Sequence, residues 1–215
     1  MSSIYVHHRV TCEPRTWSDV AKQVIDLHDF VIRNNETSLY GLWRSQIGLP
    51  RDTITMISVW PDLETAKEKS NQICIGMEMV SAVETCIMRP TIRPKTNKRP
   101  RRQGNYAFRW FDTPLRNLDE FLKLCFAAWP DFESSYDSQI IGLWKIENND
   151  KTVKTLLLTR RPNLAMWERS KIPEGPKETS VREKLSRRYD LCDWTTVYTT
   201  TLLTASDDVD LVRWS

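Results

Sequence analysis

Six glycines in 215 residues leave little from which to build a loop that cradles nucleotide phosphates, and no such glycine-rich motif occurs. The Gly-x-Ser-x-Gly elbow of serine hydrolases, the His-Glu-x-x-His zinc motif and the kinase signatures are absent as well. No run of eighteen apolar residues exists, so no span of a bilayer by a hydrophobic helix is expected. The start, Met1 to Arg9, lacks the charged and then apolar pattern of a secretion signal, which makes the cytoplasm the expected location. Cys12, Cys74, Cys86, Cys125 and Cys192 are scattered and form no Cys-x-x-Cys pair. They read as reduced core thiols rather than a disulfide framework or a zinc site. Histidine is scarce too. His7 and His8 are neighbours on a predicted strand and face opposite sides, His28 falls on a predicted helix, and no metal site is expected.

What the chain has is apolar material, at 40 %, and a small net charge of +3 that implies no polyanionic partner by itself. The charge is unevenly spread. Between Arg89 and Asn105 stand Arg89, Arg93, Lys95, Lys98, Arg99, Arg101 and Arg102 with three prolines and no acid. This segment reads as a solvated tether. No aromatic residue is interleaved to stack on bases, so specific nucleic-acid binding is not expected.

The chain also resembles itself at an offset of 101 residues: Tyr5 matches Tyr106, Gly41-Leu42-Trp43 matches Gly142-Leu143-Trp144, Pro61 matches Pro162 and Leu63 matches Leu164. Hydrophobic periodicity gives the same β-α-β-β-α-β order twice. The first unit has strands over 4–10, 38–45, 53–60 and 85–88, a helix marked by Trp17, Val20, Ala21, Val24, Leu27 and Val31, and a second helix beginning at Asp62. In the second unit the strands are 106–111, 139–146, 153–160 and 195–203, with helices over 118–129 and from Asn163 onward. An insertion near Ile172 to Lys177, carrying Pro173, Gly175 and Pro176, reads as a surface loop. The predicted class is α+β: two tandem ferredoxin-like units packed sheet to sheet as a pseudo-dimeric α+β barrel. The expected division is residues 1–89, a linker over 90–105, residues 106–205, and a tail over 206–215.

Gly41-Leu42-Trp43-Arg44 leading to Val59-Trp60-Pro61-Asp62-Leu63, and Gly142-Leu143-Trp144-Lys145 leading to Arg161-Pro162-Asn163-Leu164, resemble the NIPSNAP family of the dimeric α+β-barrel superfamily. The family's first strand typically opens Tyr-Glu-Leu-Arg, which Tyr106-Ala107-Phe108-Arg109 partly matches, whereas the first unit has His8 in the Arg position. Family members often carry a histidine on the third strand, where this chain has Met56 and Leu157. The resemblance implies a scaffold shared by cofactor-free monooxygenases, isomerases, cyclases, dehydratases and haem enzymes, and fold alone does not choose among them.

If the helices cover the more apolar face, Tyr106, Phe108 and Trp110 point to them and Ala107, Arg109 and Phe111 face the space between the sheets, as do Val6, His8 and Val10 by the repeat register. His8 as a base and Arg109 as an anchor are then the candidate catalytic pair in one cavity. Tyr40, Trp43, Ser58, Trp144, Thr159 and Arg161 are candidates for binding substrate there, the two tryptophans as an aromatic lining. The predicted function is binding, or transformation, of a small hydrophobic or aromatic compound with an anionic or carbonyl group. No organic cofactor is expected, and haem stays open because one axial histidine would suffice. The expected partners are that ligand and a second copy of the chain in a homodimer. The competing expectation is a non-catalytic protein that contacts a partner through its basic linker or its insertion.

Overall fold

The structure, a computed structural model, describes residues 3–32, 37–74, 76–147, 151–207 and 214. The chain forms two compact units: one holds residues 1–90, 96–103 and 198–215, the other residues 91–95 and 104–197. No helix among the described residues is long and apolar enough to cross a membrane.

The first unit runs β1 (Ile4–Cys12), α1 (Trp17–Ile32), β2 (Ser38–Ile47), β3 (Thr53–Trp60), α2 (Leu63–Lys69) and β4 (Val80–Pro90). Its antiparallel strands lie in the order β4-β1-β3-β2, with Thr199–Leu202 of the last strand, β8 (Trp194–Leu202), paired to β2. Trp17, Val20, Ala21 and Val24 form the buried stripe of α1, at the spacing that puts them on one helix face. They pack on Val10, Leu39, Leu42, Ile54 and Met56. The side chains of residues 28–32, His28 and Val31 among them, lie outside the described residues, as do most of the residues assigned to the tail.

The second unit runs β5 (Asn105–Pro114), α3 (Leu118–Ser135), β6 (Gln139–Ile146), β7 (Thr152–Arg161), α4 (Leu164–Arg169), α5 (Gly175–Asp190) and the first residues of β8. Its sheet order is β8-β5-β7-β6. Phe121, Cys125, Trp129 and Phe132 of α3 and Val181 of α5 pack on Phe111, Ile140, Leu143 and Leu157. α3 continues through Pro130 to Ser135 because Phe132 and Tyr136 beyond the proline are held in this core.

Local details recur at the 101-residue offset. Asp62 caps α2 by accepting from Thr65 N, and Asn163 caps α4 by accepting from Met166 N. A register shift falls between Leu39 and Gly41 on β2 and between Ile140 and Gly142 on β6. The Trp43 ring lies against Gly41 and the Trp144 ring against Gly142, where a Cβ would collide with the indole. The fold is therefore the expected α+β class, two ferredoxin-like units in tandem.

Three expectations are corrected. Ala107, Arg109 and Phe111 face the helices, since Phe111 sits in the core with α3, and Val6 and Val10 likewise pack on the helix side. Apolar character misleads here because both faces of β1 and β5 are buried, so it does not mark the helix-covered face. The insertion is a helix: Gly175 and Pro176 start α5 rather than breaking the chain into a loop. The basic segment is pinned by its backbone rather than free to act as a tether, although Lys95, Lys98, Arg99, Arg101 and Arg102 are exposed as expected. Thr91 N donates to Leu143 O and Leu143 N to Arg93 O, both at 2.9 Å. The Arg93 guanidinium pairs with Glu133 at 2.7 Å and lies over Trp129. Ser206 N donates to Arg101 O, and Gln103 N donates to the Asp207 carboxylate.

None of the five cysteines is in a disulfide; Cys12, Cys74 and Cys125 are buried and the other two half-buried.

Candidate functional site

On the helix face of the second unit, sheet and helices enclose a cavity of about 240 Å³. That is the volume of roughly eight waters at about 30 Å³ each, enough for a small organic molecule. Its floor follows from strand register. Ala107 pairs with Thr159 and Arg109 with Leu157, and alternation sends Ala107, Arg109, Leu157, Thr159 and Arg161 to the same side. Ala107 and Thr159 are short, and this leaves the space open. Trp129 and Phe132 of α3 wall one side, and Arg182, Leu185, Arg188 and Tyr189 of α5 another. Trp167 of α4, with Ser170 and Lys171 just beyond it, completes the rim.

Five of the lining residues are cationic, Arg109, Arg161, Lys171, Arg182 and Arg188, and none is acidic. Arg161 is only 9 % exposed. Its Nη1 donates to Thr159 Oγ1 at 3.1 Å, its guanidinium lies between the Phe132 and Trp167 rings at 5.3 and 5.2 Å, and its Nε is buried with no partner. Burial, and secondarily the charge of Arg109, push its pKa down to about 10. Arg109 lies 5.6 Å over the Tyr189 ring, and its pKa is lowered, chiefly by burial. Arg188, 3 % exposed, stacks on Phe111 and Tyr189 and donates from Nη1 to Cys125 Sγ at 3.6 Å. Aromatic faces thus substitute for carboxylates around these guanidiniums. They moderate the positive potential without cancelling it.

α5 is held in place at its start. Arg169 pairs with Glu178 and Glu174 at 2.9 Å, and Glu178 also accepts from Glu174 N at 2.7 Å.

Of the residues singled out from sequence, Arg109, Thr159 and Arg161 line this cavity. His8 does not; its lining comes wholly from the second unit. His8 is buried in the first unit, with Nε2 3.4 Å from Ser58 Oγ and Nδ1 3.3 Å from Thr85 Oγ1. Ser58 accepts in addition from Trp60 Nε1 at 2.9 Å. Tyr40 meets Tyr5 edge to face at 5.4 Å, and Trp43 and Trp144 are buried against their own glycines. Sequence reading missed the α5 contribution. Its signal was the spacing of Val181, Leu185 and Arg188, which places all three on one face of a helix.

The family resemblance leaves haem open, but the cavity lining does not suit it. The lining offers no imidazole, thiolate or thioether to an iron, and Tyr189, the one phenol, is stacked beneath Arg109 and Arg188. These residues do not fit a haem site. No group of three or more metal-ligating side chains occurs among the described residues.

No protein family's sequence pattern matches the chain, and no curated protein does. Solved structures do resemble it. A proposed monooxygenase from Lactobacillus acidophilus NCFM superposes with a TM-score of 0.58 at 12 % identity, covering 98 % of this chain and 100 % of that one. A second, from Fusobacterium nucleatum subsp. nucleatum ATCC 25586, gives 0.62 at 9 % identity, covering 94 % and 93 %. A mutant chlorite dismutase from Candidatus Nitrospira defluvii gives 0.59 at 5 % identity, covering 93 % and 90 %. At such identities the likeness concerns architecture and not activity. The chain shares its fold with these solved structures.

Proposed function

We propose that the second unit binds a small, flat, anionic compound in its helix-face cavity, and that the chain is a small-molecule-binding member of its superfamily. The observation that carries this is the lining itself: five cations, four aromatic rings and no carboxylate. A guanidinium as buried as Arg161, without an ion-pair partner, is costly to keep charged, and an entering anion removes that cost. The aromatic walls suit an unsaturated or aromatic body.

Two further elements belong to this reading. The Gly-Leu-Trp triplets support the NIPSNAP resemblance, and their matching bulges support descent of the two units from one duplicated unit. Five cysteines, none in a disulfide, favour the cytoplasm. Binding is the function supported, since the cations and aromatic rings of the lining suit recognition of an anion. Partner recognition through the linker or the insertion has less support: residues 91–93 are hydrogen-bonded to β6, and the insertion turns Arg182, Leu185 and Arg188 into the cavity.

The test is calorimetry of the purified chain with benzoate and benzamide. Binding of benzoate that disappears in an Arg109→Gln/Arg161→Gln double variant is the expected result. Equal binding of the acid and its neutral amide would refute the proposal.

A further inference from the structure

We infer that the ligand carries two carboxylates, one at each end of a short planar body. This rests on the reading of the cavity as an anion site and specifies the anion's shape.

The two floor arginines rise from different points of the sheet, although Arg161 feels the charge of Arg109. Arg161 pairs with Asn105 and Arg109 with Leu157 in the β5–β7 ladder, so the two arginines stand four positions apart along the strands on one face. Four steps at about 3.3 Å place their backbones roughly 13 Å apart. Each has its own aromatic support. Arg161 sits between Phe132 and Trp167, whereas Arg109 lies over Tyr189, whose ring also carries Arg188. Between the two poles the β5–β7 ladder presents Ala107 and Thr159, the lowest part of the floor, with Ile140 of β6 beside Thr159.

This layout makes demands on a ligand. A single carboxylate paired with Arg109 leaves Arg161 buried and unneutralised, and the reverse choice leaves Arg109 so. A phosphate monoester has enough charge but concentrates it at one end. Two carboxylates on a flat spacer answer both poles, each by the planar bidentate pairing that guanidinium favours, while the spacer lies over Ala107 and Thr159. The repulsion of Arg161 by Arg109, which adds to burial in lowering the Arg161 pKa, is relieved by a dianion lying between them.

The experiment is calorimetric titration of the full chain, at one pH and ionic strength, with benzoate, benzene-1,3-dicarboxylate, benzene-1,4-dicarboxylate and phenyl phosphate. The expected result is that at least one dicarboxylate binds about tenfold or more tightly than both benzoate and phenyl phosphate. Arg161→Gln, checked for folding by circular dichroism, should bring that dicarboxylate close to benzoate while benzoate itself still binds at the Arg109 pole. Dicarboxylates no tighter than benzoate would overturn the two-pole inference and leave the anion site standing. Phenyl phosphate binding most tightly would overturn it in favour of a single pole. Failure of all four acids to bind would overturn the anion site as well.

Discussion

Arg161 donates to Thr159 at 3.1 Å in the second unit just as Trp60 donates to Ser58 at 2.9 Å in the first. Both pairs lie at the end of a third strand, 101 residues apart, and both donors reach back two positions along their own strand. The donor differs in what it leaves around it. The Trp60 indole fills its surroundings together with Ile4, Val6 and Ala66, whereas the Arg161 guanidinium borders an open cavity.

Arg161→Trp should therefore restore the packing of the first unit to the second. The variant is expected to fold, with a melting temperature close to that of the parent, and to lose benzoate binding by calorimetry. Retained binding would show that the cavity does not depend on this position.

Arg109→Leu should separate stability from binding. It removes a half-buried cation that is repelled by Arg161, Arg182 and Arg188, so the ligand-free protein should melt at or above the parental temperature. Anion affinity should fall by roughly 2–5 kcal/mol, as expected when one partner of a buried charged pair is lost. Thermal unfolding and titration of the same preparation check both.

Gly142→Ala should destabilise the second unit by about 1–3 kcal/mol through overpacking, since the new methyl would collide with the Trp144 ring. Gly41→Ala should do the same at Trp43. Denaturant unfolding gives the size of each effect, and a change under about 0.5 kcal/mol would mean that the indole swings away freely.

His7 sets a pH dependence. Burial, then the charges of Arg9 and His8, lower its pKa to about 3, and its Nε2 lies 3.0 Å from Tyr198 Oη. Between that value and its unfolded value near 6.5, the unfolded chain binds a proton that the folded chain refuses, so stability rises with pH. The contribution is complete above about pH 6.5 and is lost as the pH falls toward 3, with a slope of up to about 1.4 kcal/mol per pH unit. His7→Gln should flatten this part of the profile, measured as unfolding free energy against pH.

Thr53–Trp60 and Gln139–Ile146 were readable to the residue because each strand is bounded by turn-forming residues and filled with β-branched or aromatic side chains. Which way those strands face was not readable. With both faces of β5 buried, Phe108 and Phe111 have equal claim to the helix core, and only the contacts of Phe111 with Phe121 decide it. α5 was hidden by its composition: Val181, Leu185 and Tyr189 are its few apolar residues among many charges, and Pro173 before it and Pro176 in its first turn imitate a loop. The site was therefore half legible. Arg109, Thr159 and Arg161 could be picked from the repeat, but Arg182, Arg188 and Tyr189 depend on a helix that the first unit does not have. The basic segment misled for a related reason, because charge says nothing about where backbone amides such as Thr91 N will bond.

The bulge before Gly142 also bears on how this protein can change. Leu39 and Leu42, like Ile140 and Leu143, are three apart yet both face the helices, which strict alternation forbids and an extra residue permits. Each second strand of a unit thus already contains a phase shift and the local distortion that absorbs it. Loss or gain of a residue elsewhere in these sheets would turn whole strands inside out. At positions 40 and 141 it would move only a dislocation, so these are the points where chain length is free to drift while the cavity floor stays in register.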